Sequence, residues 1–194
     1  MDIMELIMSQ LNDKDALAEL GKKVGANPSQ VKQVTQMGLP TLIKALSNNA
    51  STPKGAEALA GALDQHKDDD INDIIQYIKN VDTEDGRKIL NHVLANKNQN
   101  VQTRLAKQAG LQTSQVSGLM SQLAPLLLGA LGQQKKKENL DATGISSLTS
   151  LLSDSMGKKD DSGIMGMVSQ LLDSDKDGDI LDDVSGIIGS ILKK

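Results

Sequence analysis

The chain has 194 residues and a net charge of −4, with no cysteine, tryptophan or phenylalanine and a single tyrosine, Tyr77. A chain of this length buries about 70% of the surface its unfolded form exposes, so an aliphatic core without disulfides is feasible. The composition excludes disulfides, thiolate metal sites and cysteine nucleophiles. It also excludes aromatic stacking platforms for single-stranded nucleic acid and the basic footprint needed on a duplex.

Apolar residues recur at a helical period almost throughout. Ile3, Leu6, Ile7 and Leu11 form the first stripe, followed by Leu17, Leu20 and Val24. Asn27-Pro28 places a good cap before a proline at the first helical position, and the stripe Val31, Val34, Met37 follows. Leu39 to Leu46 reads as a separate helix, because Pro40 is expected to stop or kink the ladder. Ser51-Thr52-Pro53 starts the helix of Leu59 to Leu63, Asp68-Asp69-Asp70 is expected to cap a helix over Ile71 to Lys79, and Asp82-Thr83-Glu84 starts that of Ile89 to Leu94. No window alternates long enough for a sheet. The expected class is all-α, a multi-helix bundle of short helices. The longest apolar run, Leu123 to Leu131, is nine residues, against the ~20 of a membrane span. The acidic start Met1-Asp2-Ile3-Met4-Glu5 does not read as a signal peptide. We expect a cytoplasmic protein, without nucleic acid as a partner.

An internal repeat runs at an offset of 85 residues. Leu20 to Asn49 and Leu105 to Gln134 share ten of thirty residues without a gap, including Gly25 with Gly110, Ser29-Gln30-Val31 with Ser114-Gln115-Val116, and Pro40 with Pro125. Each copy reads as a helix ended by glycine, a turn capped by Asn27 or Thr113, a second helix, and a third after the proline. Two such units suggest a pseudo-two-fold bundle. The expected organisation is a repeat domain over 1–134 with copies at about 16–49 and 101–134, a linker over 135–144, and an Asp/Gly/Ser-rich helical extension over 145–194. Lys135-Lys136-Lys137 reads as a solvated linker or a contact for an anionic surface. Residues 141–194 hold ten acidic groups, all aspartate, against five lysines.

The sharpest motif is Asp173-Ser174-Asp175-Lys176-Asp177-Gly178-Asp179-Ile180-Leu181-Asp182-Asp183. Aspartates at positions 1, 3 and 5, with glycine at 6, form the front half of an EF-hand-type loop. Ca2+ takes several hard oxygen ligands, and alternate aspartates converge when the chain turns at Gly178. Asp173, Asp175, Asp177 and Asp179 are the ligand candidates. Position 12 is Val184 where glutamate is usual, so Asp182 or Asp183 would close the shell. The competing reading is an Asp/Gly turn capping a helix that begins near Asp182. His66 and His92 would form a metal site or general base only by converging with an acid such as Asp64 or Asp85. Otherwise they make ordinary hydrogen bonds on helices. The methionines sit at apolar positions, as core filler or as an adaptable partner surface.

Read in order, Ser51-Thr52-Pro53-Lys54-Gly55-Ala56, Ala62-Leu63-Asp64-Gln65-His66, Asp85-Gly86-Arg87-Lys88-Ile89-Leu90-Asn91-His92 and Leu123-Ala124-Pro125-Leu126 to Gly129-Ala130-Leu131 resemble the YidB-like family of bacterial proteins (domain of unknown function 937). The resemblance covers about residues 3 to 135, and the Asp/Gly loop looks like an extension seen in many members. It implies an all-helical fold and a bacterial source, and it brings no activity and no catalytic residues. The charged Ile71 to Lys79 segment replaces the family's usual glycine-rich stretch. The expected function is non-enzymatic: a helical module for a protein partner or self-association, carrying the Ca2+ loop. The alternatives are a structural subunit of a larger bacterial assembly and a metal-dependent hydrolase using His66 and His92.

Overall fold

The computed structural model describes residues 3–158 and 163–173. Its elements are α1 (Ile3–Leu11), α2 (Lys14–Lys22), α3 (Pro28–Asn49), α4 (Pro53–His66), α5 (Ile74–Asn80), α6 (Thr83–Leu94), a 3-10 turn (Ala95–Lys97), α7 (Asn98–Ala109), α8 (Thr113–Glu138), α9 (Ala142–Lys158) and α10 (Ile164–Leu172). The described residues hold helices and no strands, and the fold is an all-α multi-helix bundle.

The apolar run around Leu123 to Leu131 is the centre of the bundle. From Leu119 to Gly132 every residue of α8 is buried. A helix that is apolar all round is covered all round, and α3, α4, α6 and α7 pack against α8. The core is aliphatic, with Leu20, Leu63, Leu105 and Met120 fully buried.

The helix starts follow from local chemistry. Asn27 accepts from the Gln30 N–H, Thr52 from Gly55, and Asp82 from Glu84 and Asp85. Three expectations are corrected. First, α3 and α8 run on through Pro40 and Pro125 instead of ending there. Each proline forfeits one ladder bond, but burial of Leu39, Leu42 and Ile43, and of Ala124, Leu126 and Leu127, outweighs the ~3 kcal/mol penalty. Second, α8 is capped by Gln112, with Thr113 its first helical residue. Third, Asp73 caps α5 by accepting from Gln76, so the helix starts three residues after Ile71, and Asp69 is left for other work.

The positions matched at the offset of 85 share local geometry. Gly25 and Gly110 both adopt left-handed backbone, at φ +68° and +64°. Gln30 Nε2 donates to the Gly110 carbonyl at 3.0 Å and to Ala109 at 3.4 Å. Gln115 Nε2 donates to the Gly25 and Val24 carbonyls, each at 3.0 Å. Each glutamine also accepts from a backbone N–H at its own helix start, of Asn27 or Gln112.

In the segment expected as a linker, residues 135–138 are the last turn of α8, where lysines suit the helix C-terminus. The connection to α9 is Asn139, in left-handed backbone, with Leu140 and Asp141. Helix α9 packs on α3 and α4, and α10 on α3 and α7.

One close approach sets the position of α6. A Cβ on Gly86 would lie 1.8 Å from the Ser121 carbonyl oxygen. Pro125, four residues on from Ser121, has no N–H to give that carbonyl. The glycine backbone of α6 rests against the acceptor the proline leaves open, and so α6 crosses α8 in near backbone contact.

Candidate functional site

Helix α4 delivers His66 at its last position, and the crossing of α6 over α8 brings Asp85 to meet it. His66 Nδ1 lies 3.0 Å from Asp69 Oδ2, and Nε2 lies 3.6 Å from Asp85 Oδ2. Its side chain is only 14% exposed, whereas Asp85 is 41% exposed. An ionised carboxylate only accepts, so the imidazole presents Nδ1–H to Asp69. The Tyr77 hydroxyl, from α5, donates to the same Asp69 oxygen at 3.4 Å. Gln133 of α8 donates to the Asp69 backbone carbonyl at 2.7 Å and pins the loop from below. Burial, then the charge of Asp69 and the hydrogen bond to it, then the charge of Asp85, push the Tyr77 phenol well above its ordinary range.

His66, Asp69, Tyr77 and Asp85 floor an open pocket of about 450 Å³. Its rim adds Asp70, Asp73 and Asp82, the amides of Gln65, Gln76 and Asn80, and Pro125. Five aspartates thus face one concavity, and no lysine or arginine is among the described residues that line it. Beside it, Asp64 meets Lys135 at 2.6 Å and Asp68 meets Lys136 at 2.5 Å. The hydrogen bond from Lys135 holds Asp64, and that from Lys136 holds Asp68, below the usual carboxylate range.

Of the acids expected near a histidine, Asp85 reaches His66, while Asp64 turns to Lys135. His92 is exposed two turns along α6 from Asp85 and does not line the pocket. The structure therefore does not bring His66 and His92 into one site. Asp69 and Asp85 approach opposite nitrogens of one ring, so a single ion cannot be shared by all three groups. Among the described residues no group of three or more acids and histidines is placed to hold a metal. Asp69 and Tyr77 are the site residues that sequence reasoning missed. The signal present was the i, i+3 spacing of His66 and Asp69 just past a helix end.

Asp173 ends α10, its N–H bonded to the Ser169 carbonyl at 2.9 Å. The other loop candidates, Asp175, Asp177, Asp179, Asp182 and Asp183, lie outside the described residues.

A family model described as bacterial protein of unknown function (DUF937) matches residues 5–134 and 136–193. The chain belongs to this family. No curated protein and no solved structure matches it. In this DUF937 protein the two matched spans meet at Lys135, in the last turn of α8 beside the acidic pocket. No helix among its described residues is long and apolar enough to cross a membrane.

Proposed function

We propose that this DUF937 protein is a non-enzymatic interaction module that receives a cationic side chain of a protein partner in the acidic pocket around His66. The observation that carries this is five aspartates facing one concavity without a lining lysine or arginine. An ammonium or guanidinium presents only donors, and this wall presents mainly acceptors. A metal ion draws its oxygen ligands in to ~2.0–2.6 Å. These carboxylates are spread around a cavity of about 450 Å³ and, among the described residues, do not converge on one ion. The outer surface supports recognition by charge too. Leu151 and Met167 are the large apolar residues exposed among the described ones, and single exposed apolar residues are ordinary on a monomer surface.

Amide NMR titration with a lysine/arginine-rich peptide tests the reading, with an acidic peptide of equal length as control. Shifts should gather at Gln65, Asp70, Gln76 and Asp85 and fade with salt. Asp70→Asn combined with Asp85→Asn should weaken binding about three- to tenfold. These two are chosen because Asp73 and Asp82 cap helices and Asp69 holds His66 and Tyr77. Equal binding of the acidic peptide, or shifts confined to other surfaces, would refute it.

The Asp173 to Asp183 loop belongs to the proposal on its sequence pattern alone, as a Ca2+ site that stabilises the module. Calorimetry at millimolar calcium tests it. Absence of both heat and a melting shift would remove calcium from the reading.

A further inference from the structure

A second concavity, of about 590 Å³, lies on another side of α6 and has the opposite character. It opens between the end of α2, the first turns of α6 and the first half of α8. Lys23 and Arg87 supply charge, and Ser114, Ser117 and Ser121 supply hydroxyls; no carboxylate is among the described residues that line it. The serines recur at intervals of three and four, so they share one face of α8. Ser114, the second residue of α8, brings the positive end of that helix to the space, whereas the start of α6 beside it is already capped by Asp82.

Two buried groups in this wall are unpartnered among the described residues. Ser121 is 1% exposed and Gln122 is 2% exposed, and neither the Ser121 hydroxyl nor the Gln122 Oε1 finds a hydrogen-bond partner there. The Gln122 amide nitrogen is already committed, to the Gly118 carbonyl at 3.2 Å and the Leu20 carbonyl at 3.4 Å. Alanine at 121 would pack in the same space without a stranded hydroxyl, so the serine leaves a donor in this wall that a ligand oxygen can take up. Lys23 makes no ion pair among the described residues. Among the described residues Arg87 pairs with Glu84, one turn back and equally exposed, and such a surface pair is weak enough to exchange.

We propose that this concavity is a site for a small phosphate-class anion. Lys23 and Arg87 would neutralise its charge, and the Ser117 and Ser121 hydroxyls, one turn apart on α8, would donate to its oxygens. Hydrogenphosphate keeps one O–H at neutral pH, and that proton answers the acceptor on Gln122. Sulfate has the same shape and no such proton. This site is independent of the acidic pocket, and either one can fail without the other.

Amide NMR of the full chain, titrated separately with inorganic phosphate, glycerol 3-phosphate and sulfate, tests the inference. Phosphate should shift residues 23–24, 83–87 and 114–122, with sulfate about tenfold weaker, the loss of one hydrogen bond to a charged group. Glycerol 3-phosphate, whose second phosphate pKa is ~6, lacks that O–H at neutral pH, so it should bind more weakly than the free ion, and equal affinity would overturn the role given to Gln122. Ser121→Ala should weaken phosphate about tenfold while the melting temperature in phosphate-free buffer stays the same or rises. Lys23→Gln, at an exposed position, should also weaken it. No shifts in millimolar phosphate, shifts confined to Lys135–Lys137, equal affinity for sulfate, or unchanged binding by Ser121→Ala would each overturn the proposal.

Discussion

Gly86→Ala is the most direct test of how α6 is seated. In an exposed helix this change stabilises by up to about 1 kcal/mol, because alanine gives up less backbone entropy. Here the added Cβ would lie 1.8 Å from the Ser121 carbonyl oxygen and 2.7 Å from its carbon. The obstacle is backbone rather than a flexible side chain, so the helices must part by about 1.2 Å to reach a 3.0 Å contact. Overpacking of this kind costs about 1–3 kcal/mol, and a backbone clash belongs at the upper end. After the propensity gain, the net loss is about 2 kcal/mol. For a chain of this size that lowers the melting temperature by about 4–8 °C. Gly61→Ala is the matched control, since nothing lies within 4 Å of its added Cβ. It should gain about 0.5–1 kcal/mol. Thermal and urea unfolding, with the slope checked for constancy, measure both. If Gly86→Ala is as stable as the parent, the near contact of α6 and α8 is wrong, and so is the placement of Asp85 against His66.

Gln30→Ala and Gln115→Ala each remove a helix-start hydrogen bond and the bonds to the Gly110 or Gly25 carbonyl. Each should cost about 1 kcal/mol, read from urea midpoints, and a variant that loses nothing would show that these long-range bonds contribute no stability. Tyr77 is the sole tyrosine, so its phenolate absorbance is unambiguous. Its folded-state pKa is raised by burial and by Asp69. The unfolded chain therefore releases this proton near pH 10 while the folded chain keeps it. Stability should fall as pH rises above about 10, and phenolate should appear only with unfolding. Ordinary titration of Tyr77 near pH 10 in the folded protein would contradict its burial against Asp69.

The sequence by itself determined what is settled within a few residues. Asn27, Thr52 and Asp82 announce helix starts because each side chain reaches an N–H two or three positions ahead. Gly25 and Gly110 mark turns because left-handed backbone excludes most other residues. The all-α class follows from the 3.6-residue stripes. Tertiary structure decided the rest. Pro40 and Pro125 read as breaks, yet burial on every side carries α3 and α8 through them. Asp68, Asp69 and Asp70 read as one capping run, yet the three part company: Asp68 to Lys136, Asp69 to His66 and Tyr77, and Asp70 to Asn72. His66 and Asp85 stand nineteen residues apart, and no periodicity connects them. They meet because Pro125 frees a carbonyl of Ser121 and Gly86 has no side chain to hold α6 off it. Both pockets are set at that same crossing, since Asp85 and Arg87 flank Gly86 and look into opposite ones. Local hydrogen bonds draw the helices, but charge acts through space, and only the packing of one helix on another decides which charges share a cavity.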